Sequence, residues 1–440
     1  MANEWQDCKI GDLCDAGVAD LQTGPFGTQL HAFDYVEDGV SVVPTEAIRN
    51  RQIDHSVLPK ISRAKAEELA RHRLEPGDIL FARRGAQATG HIGCVREAED
   101  GFICGTGAIR LRVRRNASTV SPDFLSHVLA NPASVEWFKF HAIGATMPNL
   151  NEGIIRSFPM RMPPLPEQCA IAHILSTLDD KIGINRRMNE TLESIARALF
   201  RSWFVDFDPV RAKADGQDHG LPKSLRDIYP DSFEDSQVGK IPKGWKVRSL
   251  DEIARFLNGL ALQKYPPMNG QSLPVIKIAQ LRAGNTVGAD SATDKLNPDY
   301  VVNDGDVLFS WSGSLECAIW TGGRGALNQH LFRVTSTEFP KWFYYLWIHM
   351  HLAEFRHIAA GKATTMGHIQ RHHLSDAKVV VPTFDILISA NEVLSPLVER
   401  IVTTHIESRT LALLRDALLP KLLSGEVRVE ETDGAVATVA

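Results

Sequence analysis

Asn297-Pro298-Asp299-Tyr300 is the nearest this chain comes to the Asn/Asp-Pro-Pro-aromatic loop with which amino-methyltransferases hold a target amine. Asp299 stands where that loop needs its second proline, and no Phe-x-Gly-x-Gly segment accompanies it. ATP chemistry would need a Gly-x-x-x-x-Gly-Lys-Ser/Thr loop, and Gly239-Lys240 and Gly361-Lys362 lack both the upstream glycine and the following hydroxyl. Six of the 16 histidines crowd late, at 349, 351, 357, 368, 372 and 373. A metal on a helix wants ligands at i and i+4, a spacing that His349 and His351 do not have. The six cysteines, at 8, 14, 94, 104, 169 and 317, form no Cys-x-x-Cys pair and read as reduced thiols rather than a zinc site or a disulfide framework. A Ser-His-Asp or paired-carboxylate site is a spatial constellation that sequence alone does not assign. No catalytic residue and no metal site is therefore assigned.

Binding chemistry is better represented. The chain of 440 residues carries a net charge of −5, yet residues 49–115 hold 14 Lys and Arg against 8 Asp and Glu, a local excess of +6. In a strand through Arg110-Leu111-Arg112-Val113-Arg114, side chains alternate, so Arg110, Arg112 and Arg114 would share one face and Ile109, Leu111 and Val113 the other. Such a face would neutralise phosphates. Arg83-Arg84 follows a strand and opens a loop running to Gly90, and an arginine fork on guanine O6 and N7 is the commonest base-specific contact. These two are the first candidates for base readout.

The elements that position them occur twice. Gly77-Asp78-Ile79-Leu80-Phe81 matches Gly305-Asp306-Val307-Leu308-Phe309 at an offset of 228, Trp5 matches Trp245 at 240, and Thr146-Met147, Pro163, Leu178, Ile182, Leu192 and Leu199 match Thr365-Met366, Pro382, Leu397, Ile401, Leu411 and Leu418 at 219. The offset drifts in the first part of each half and then locks, as a long packed helix would require. Each half reads as a mixed α/β globule followed by a helix, with strands at 79–82 and 103–113 and helices at 122–142 and 341–360. From Glu167 the apolar residues Ile171, Leu175, Leu178 and Ile182 follow a heptad spacing, interrupted on the seam by Asn185 and Asn189 and resumed at Leu192. The second copy places Thr404 and Ser408 in the same gap. A polar gap of this kind fixes register and partner in a coiled coil. Trp203-Phe204-Val205-Asp206-Phe207 looks like a packing node, and the Asp-, Gly-, Pro- and Ser-rich stretch after it like an extended connector. Matched scaffold with unmatched loops marks reading positions: Arg83 and Arg84 align with Trp311 and Ser312, and Lys362, Thr364 and Arg371 are the candidate DNA contacts of the second half.

The two similar halves, Pro163-Pro164-Leu165-Pro166-Glu167-Gln168, the aromatic block at 203–207, and the runs Tyr229-Pro230-Asp231-Ser232-Phe233-Glu234 and Gly239-Lys240-Ile241-Pro242-Lys243-Gly244-Trp245 together resemble the DNA specificity (S) subunits of type I restriction-modification systems over essentially the whole chain. The second half departs at Val381-Pro382-Thr383-Phe384-Asp385. The resemblance implies a duplicated α/β (α+β) fold, two target-recognition domains separated by two long antiparallel coiled-coil helices. Its parts would be a first domain at 1–165, a central helix and aromatic block at 166–207, a connector at 208–243, a second domain at 244–382, a helix at 383–424 and a tail at 425–440. It further implies a non-catalytic subunit that reads a bipartite site in double-stranded DNA and docks two methyltransferase subunits, joined by restriction translocase-nuclease subunits. S-adenosylmethionine, ATP and Mg would belong to those partners, with no cofactor in this chain. The competing readings are a self-contained methyltransferase or nuclease with duplicated recognition domains, which the missing cofactor loops disfavour, and a coiled-coil scaffold without nucleic acid, which the divergent basic loops disfavour. The longest uncharged stretch, the 13 residues 21–33, is short of the ~20 needed to span a bilayer. With no apolar run behind a basic start, the chain is expected in the cytoplasm, away from membranes.

Overall fold

In each half of the chain the first strand pairs with the last. The computed structural model describes residues 5–85, 87–114, 118–144, 146–217, 220–221, 223–268, 270–361 and 367–429. In it Gln6–Lys9 lies antiparallel to Pro159–Met162, and Lys246–Ser249 lies antiparallel to Lys378–Val381. Gln6 faces Met162 and Lys246 faces Val381, so the register is the same in both copies. The chain forms two compact units, Met1–Asp180 with Ala412–Ala440, and Lys181–Leu411.

Inside the first unit an antiparallel sheet runs in the order Ala19–Thr23, Ala108–Val113, Ile79–Ala82, Ile92–Cys94. The second unit repeats it as Arg255–Asn258, Leu331–Thr335, Val307–Ser310, Cys317–Ile319. Ile79–Ala82 and Val307–Ser310 are buried at every position, as apolar strands covered on both faces must be. A second sheet in each unit holds a short parallel pair, Ile103–Cys104 with Val40–Val43 and Gly325–Leu327 with Ser272–Ile276. The expected strand 103–113 is thus two strands in different sheets, with the turn at Gly105-Thr106-Gly107 between them.

The expected helix 122–142 is also divided, into Pro122–Ala130 and Pro132–His141. Pro132 has no N–H to continue the first helix, and the Asn131 side chain instead caps the second by accepting from the Ala133 amide. Its counterpart Lys341–Gly361 is continuous. The stretch 208–243 is not an extended connector. It folds as helices Asp208–Ala214 and Lys223–Ile228 and the hairpin Phe233–Ser236 with Gly239–Pro242. Val210, Leu225, Tyr229 and Ile241 bury into the same core as Phe200, Trp203, Phe204 and Trp245.

The central helix is Leu165–Phe204 and the C-terminal helix Phe384–Ser424. They are antiparallel within each unit. In the first, Asp179 meets Arg415 at 2.8 Å and Glu167 meets Arg428 at 2.7 Å. In the second, Asn185 Nδ2 donates to Glu407 at 3.0 Å while Phe200 shares a core with Ala390 and Leu394. Asn185, Asn189 and Thr404 are buried on the seam. Thr404 and Ser408, which fill the corresponding gap in the second helix, donate to carbonyls of their own helix, at Arg400 and Thr404. Asn185 crosses to Glu407 instead, and the Oδ1 atoms of Asn185 and Asn189 are buried without a hydrogen bond. No helix among the described residues is long and apolar enough to cross a membrane.

Arg51 sits in the left-handed region at φ 60 on the tip of the Ile48–Arg49/Gln52–Ile53 hairpin, and its guanidinium reaches Asp179 at 2.7 Å and Ser126 at 2.9 Å. His127 is buried beside it, 3.1 Å from Ser176 Oγ, and burial together with Arg51, Arg415 and Arg96 pushes its pKa down to about 2.

Two outcomes follow from these buried polar groups. Asn189→Leu removes an unpaired amide oxygen from the seam and is expected to raise the unfolding free energy by about 1 kcal/mol; urea titration checks it. His127 is neutral when folded, whereas the unfolded chain takes up a proton below its ordinary value of about 6.5, so stability falls as pH drops through the window between about 6.5 and 2. Between pH 6 and 4 the His127 contribution is expected to be on the order of 1 kcal/mol per pH unit, which His127→Gln removes.

Candidate nucleic-acid interface

Gly77 and Gly305 take φ values of 92 and 90, a backbone region that favours glycine, and turn the chain into the central strand of each main sheet. The aspartate that follows holds the turn: Asp78 accepts the Glu75 amide at 2.8 Å and Asp306 accepts the Asn303 amide at 2.8 Å. Each also binds an arginine from the neighbouring strand. Asp78 takes Arg112 at 2.7 Å, and Asp306 takes Arg333 at 3.1 Å.

Arg110 and Arg333 are equivalent, since they lie opposite Leu80 and Leu308. Arg110 Nη1 donates to the Arg71 carbonyl at 3.4 Å, and Arg333 Nη1 to the Asp299 carbonyl at 3.3 Å, each on a single 3-10 turn. Asn297-Pro298-Asp299-Tyr300, the segment nearest a methyltransferase loop, is therefore a structural turn clamped by Arg333.

The same contacts correct two of the proposed DNA residues. Arg110 is buried, with its guanidinium paired to Asp20 at 3.1 Å, and Arg112 is spent on Asp78, Glu75 and the Arg73 carbonyl. Simple alternation failed because this strand is central to its sheet and covered on both faces. Arg114 is exposed, but it lies beyond the end of Ala108–Val113, roughly 20 Å of extended chain from the Arg83 end.

Arg83 and Arg84 emerge where three segments meet. The Arg83 amide donates to the Gly107 carbonyl at 2.9 Å, the Leu150 amide donates to the Arg83 carbonyl at 2.8 Å, and Arg84 bridges Asn149. The second unit builds the same cradle: Trp311 amide to His330 carbonyl at 3.4 Å, Ile369 amide to Trp311 carbonyl at 2.9 Å, and Ser312 bridging His368. Gly24 and Gly259 complete it, because a Cβ at either would strike the carbonyl of Gly105 or Asn328.

Every one of those frame contacts is duplicated, while the side chains that line the cradle are not. In the first unit Arg83 Nε is anchored on Asn149 Oδ1 at 2.9 Å, and Arg84 is exposed, its Nη2 3.4 Å from Thr106 Oγ1. In the second, Trp311 Nε1 donates to Asn258 at 2.9 Å and to the Gln329 carbonyl at 3.0 Å. Ser312 Oγ lies 2.9 Å from His330 Nδ1, and Gln329 Nε2 lies 3.3 Å from His330 Nε2. Gln329 and His330 border an open cleft of about 710 Å3.

Scans against known proteins bear on this duplication. The family model described as type I restriction modification DNA specificity domain matches residues 2–194 and again 242–405. The chain belongs to that family. Among its relatives, the specificity subunit of the type I restriction enzyme HindI of Haemophilus influenzae is 24% identical over 97% of this chain and 100% of its own. That of MjaIX from Methanocaldococcus jannaschii is 28% identical over 71% of this chain and 70% of its own. The crystal structure of a type I restriction-modification S subunit from M. genitalium shares the fold, with a TM-score of 0.58 at 14% identity over 96% of both chains.

In this specificity-family chain, Lys362 and Thr364 fall outside the described residues. Arg371 begins the short helix Arg371–Asp376 and borders a groove that also holds Asp251, Glu252, Arg255 and Glu338. Sequence reading missed Thr106, Asn149, Gln329 and His330. Aligning Arg110 with Arg333 would have supplied the signal, because the residues just before them are the turns 105–107 and 328–330. His349 and His351 are half-buried on the helix Lys341–Gly361: burial pushes His349 down to about 3, and His351 bonds the Lys378 carbonyl.

The frame and the lining are separable by mutation. Arg110→Ala is expected to cost about 1–3 kcal/mol in urea unfolding by emptying the buried site of its side chain and removing its bond to the Arg71 carbonyl. Arg84→Ala, which loses an exposed contact, is expected to stay within about 0.5 kcal/mol.

Proposed function

We propose that this chain is the DNA-recognition subunit of a type I restriction-modification assembly in the cytoplasm, and that each domain reads one part of a two-part site in duplex DNA. Two methyltransferase subunits dock on it and restriction translocase-nuclease subunits join for cleavage. S-adenosylmethionine, ATP and Mg serve those partners, while this chain contributes recognition and no catalysis.

The single observation that supports this reading is the twice-built cradle whose frame is retained and whose lining is exchanged. A scaffold protein would have no reason to preserve the frame so closely while replacing Arg83-Arg84 with Trp311-Ser312. An enzyme would carry one reacting centre, and the segment nearest to one is locked by Arg333. With a net charge of −5, attraction to phosphates is local, which suits a subunit that adds sequence selectivity to partners that also touch DNA.

Replacing residues 1–162 by the first domain of another family member is expected to change one part of the methylated sequence and leave the other intact. The purified chain alone is expected to transfer no methyl group to DNA until methyltransferase subunits are added. Mapping methylated positions in cells carrying the chimera reads the first outcome; an unchanged target would remove the assignment of that domain.

A further inference from the structure

The two cradles differ in the hydrogen-bonding faces they offer, and from this we infer that they read different purines: guanine through Arg84 in the first domain and adenine through Gln329 in the second. The inference rests on the DNA-recognition reading above and adds the base class to it.

Consider the first cradle. Arg83 is held by Asn149, so its role is to position the loop, whereas Arg84 projects from it exposed, with a long contact to Thr106. Gly107 makes room for it: a Cβ there would stand 3.3 Å from Arg84 Nε. A guanidinium carries five N–H donors and no acceptor. Only guanine offers two adjacent acceptors, O6 and N7, on its major-groove edge.

The second cradle has no cation at the equivalent positions. Its polar lining groups form a chain from the half-buried Gln329 inward to Ser312. Gln329 Nε2 donates to His330 Nε2, and in a neutral imidazole the other nitrogen, Nδ1, then carries the proton and donates to Ser312 Oγ. Ser312 is buried and Trp311 packs beside His330 with ring centroids 5.7 Å apart, so the imidazole is fixed from two sides. One amide N–H of Gln329 is used on His330. The second N–H and the carbonyl oxygen make a donor and an acceptor in one plane, the pair that matches adenine N7 and N6. Guanine would set its O6 against the amide oxygen.

The test is selection of binding sequences from a random duplex DNA library by the full-length chain, alone and with its methyltransferase subunits, followed by the same selection with variants. Wild type is expected to enrich a two-part sequence. Arg84→Ala is expected to lose roughly ten- to a hundred-fold preference for one guanine in one part only. Gln329→Ala is expected to lose a comparable preference for one adenine in the other part, and duplexes carrying 7-deazaadenine at that position are expected to bind wild type weakly and the variant no worse than unmodified DNA. Ser312→Ala, which loosens His330 without touching the base, is expected to weaken the same preference without changing the base. Enrichment that persists while both variants select the wild-type sequence overturns the base assignment and leaves the recognition reading standing. Failure of the wild-type chain to enrich any sequence, alone or assembled, overturns the recognition reading itself. Circular dichroism of each variant, matched to wild type, ties the losses to contacts rather than folding.

Discussion

A carboxylate at the head of the central strand, tied to a backbone amide and to a guanidinium from the next strand, is the constraint on which each domain depends. Asp78 and Asp306 close a turn that the preceding glycine favours, and by engaging Arg112 or Arg333 they tie that turn to the neighbouring strand. Charge-assisted hydrogen bonds of this kind are short and directional, and each aspartate takes its arginine from a different position of the neighbouring strand, since Arg333 is the counterpart of Arg110 rather than of Arg112. The Gly-Asp pair recurs at the same place in both halves, and the same backbone bonds hold it, to Val95 in the first and to Trp320 in the second.

From that corner the cradle follows almost by construction. The central strand ends at Ala82 or Ser310, and the next residue must find partners for its amide and its carbonyl away from the sheet ladder. It finds them in the turn before the neighbouring strand and in the segment after the helical layer. Backbone groups supply all of this, so the frame does not depend on which side chains stand at 83, 84, 311 and 312, although Arg83, Trp311 and Ser312 each bond a neighbour within their own cradle. A site whose geometry is carried by backbone hydrogen bonds is free to change its side chains without losing its shape.

The features legible in sequence were those that leave a periodic or repeated trace. The duplication, the two long helices and their polar seam are of this kind, and so is Arg83-Arg84 as a divergent pair in a matched frame. What misled was environment. Arg110 and Arg112 alternate with apolar residues as an amphipathic strand would, but a central strand has no solvent face, and their charge is consumed inside the unit. The stretch 208–243 has the composition of a linker, yet Val210, Leu225, Tyr229 and Ile241 are spaced widely enough to anchor it along a core that sequence alone does not display. Gln329 and His330 stayed hidden for a related reason: the turn that carries them becomes part of a site only when the sheet sets it against residues 311–312.

The lining residues are also coupled to one another, which limits how such a site can change. Arg84 lies over position 107 because that residue is glycine and offers no side chain; in the second domain the same position is His330, which fills the space and binds the shorter Ser312. An arginine at 312 would meet the imidazole, and a histidine at 107 would displace the guanidinium. Moving from one lining to the other therefore requires concerted exchange at the loop and at the turn, two segments separated in sequence and joined only by the frame. Single substitutions would leave a half-built cradle, with a buried or crowded polar group lacking its partner and a cost comparable to the binding energy at stake. On this account the rigidity of the Gly-Asp corner and the variability of the lining are one property: the frame must be invariant for paired side chains on different segments to be exchanged as a set.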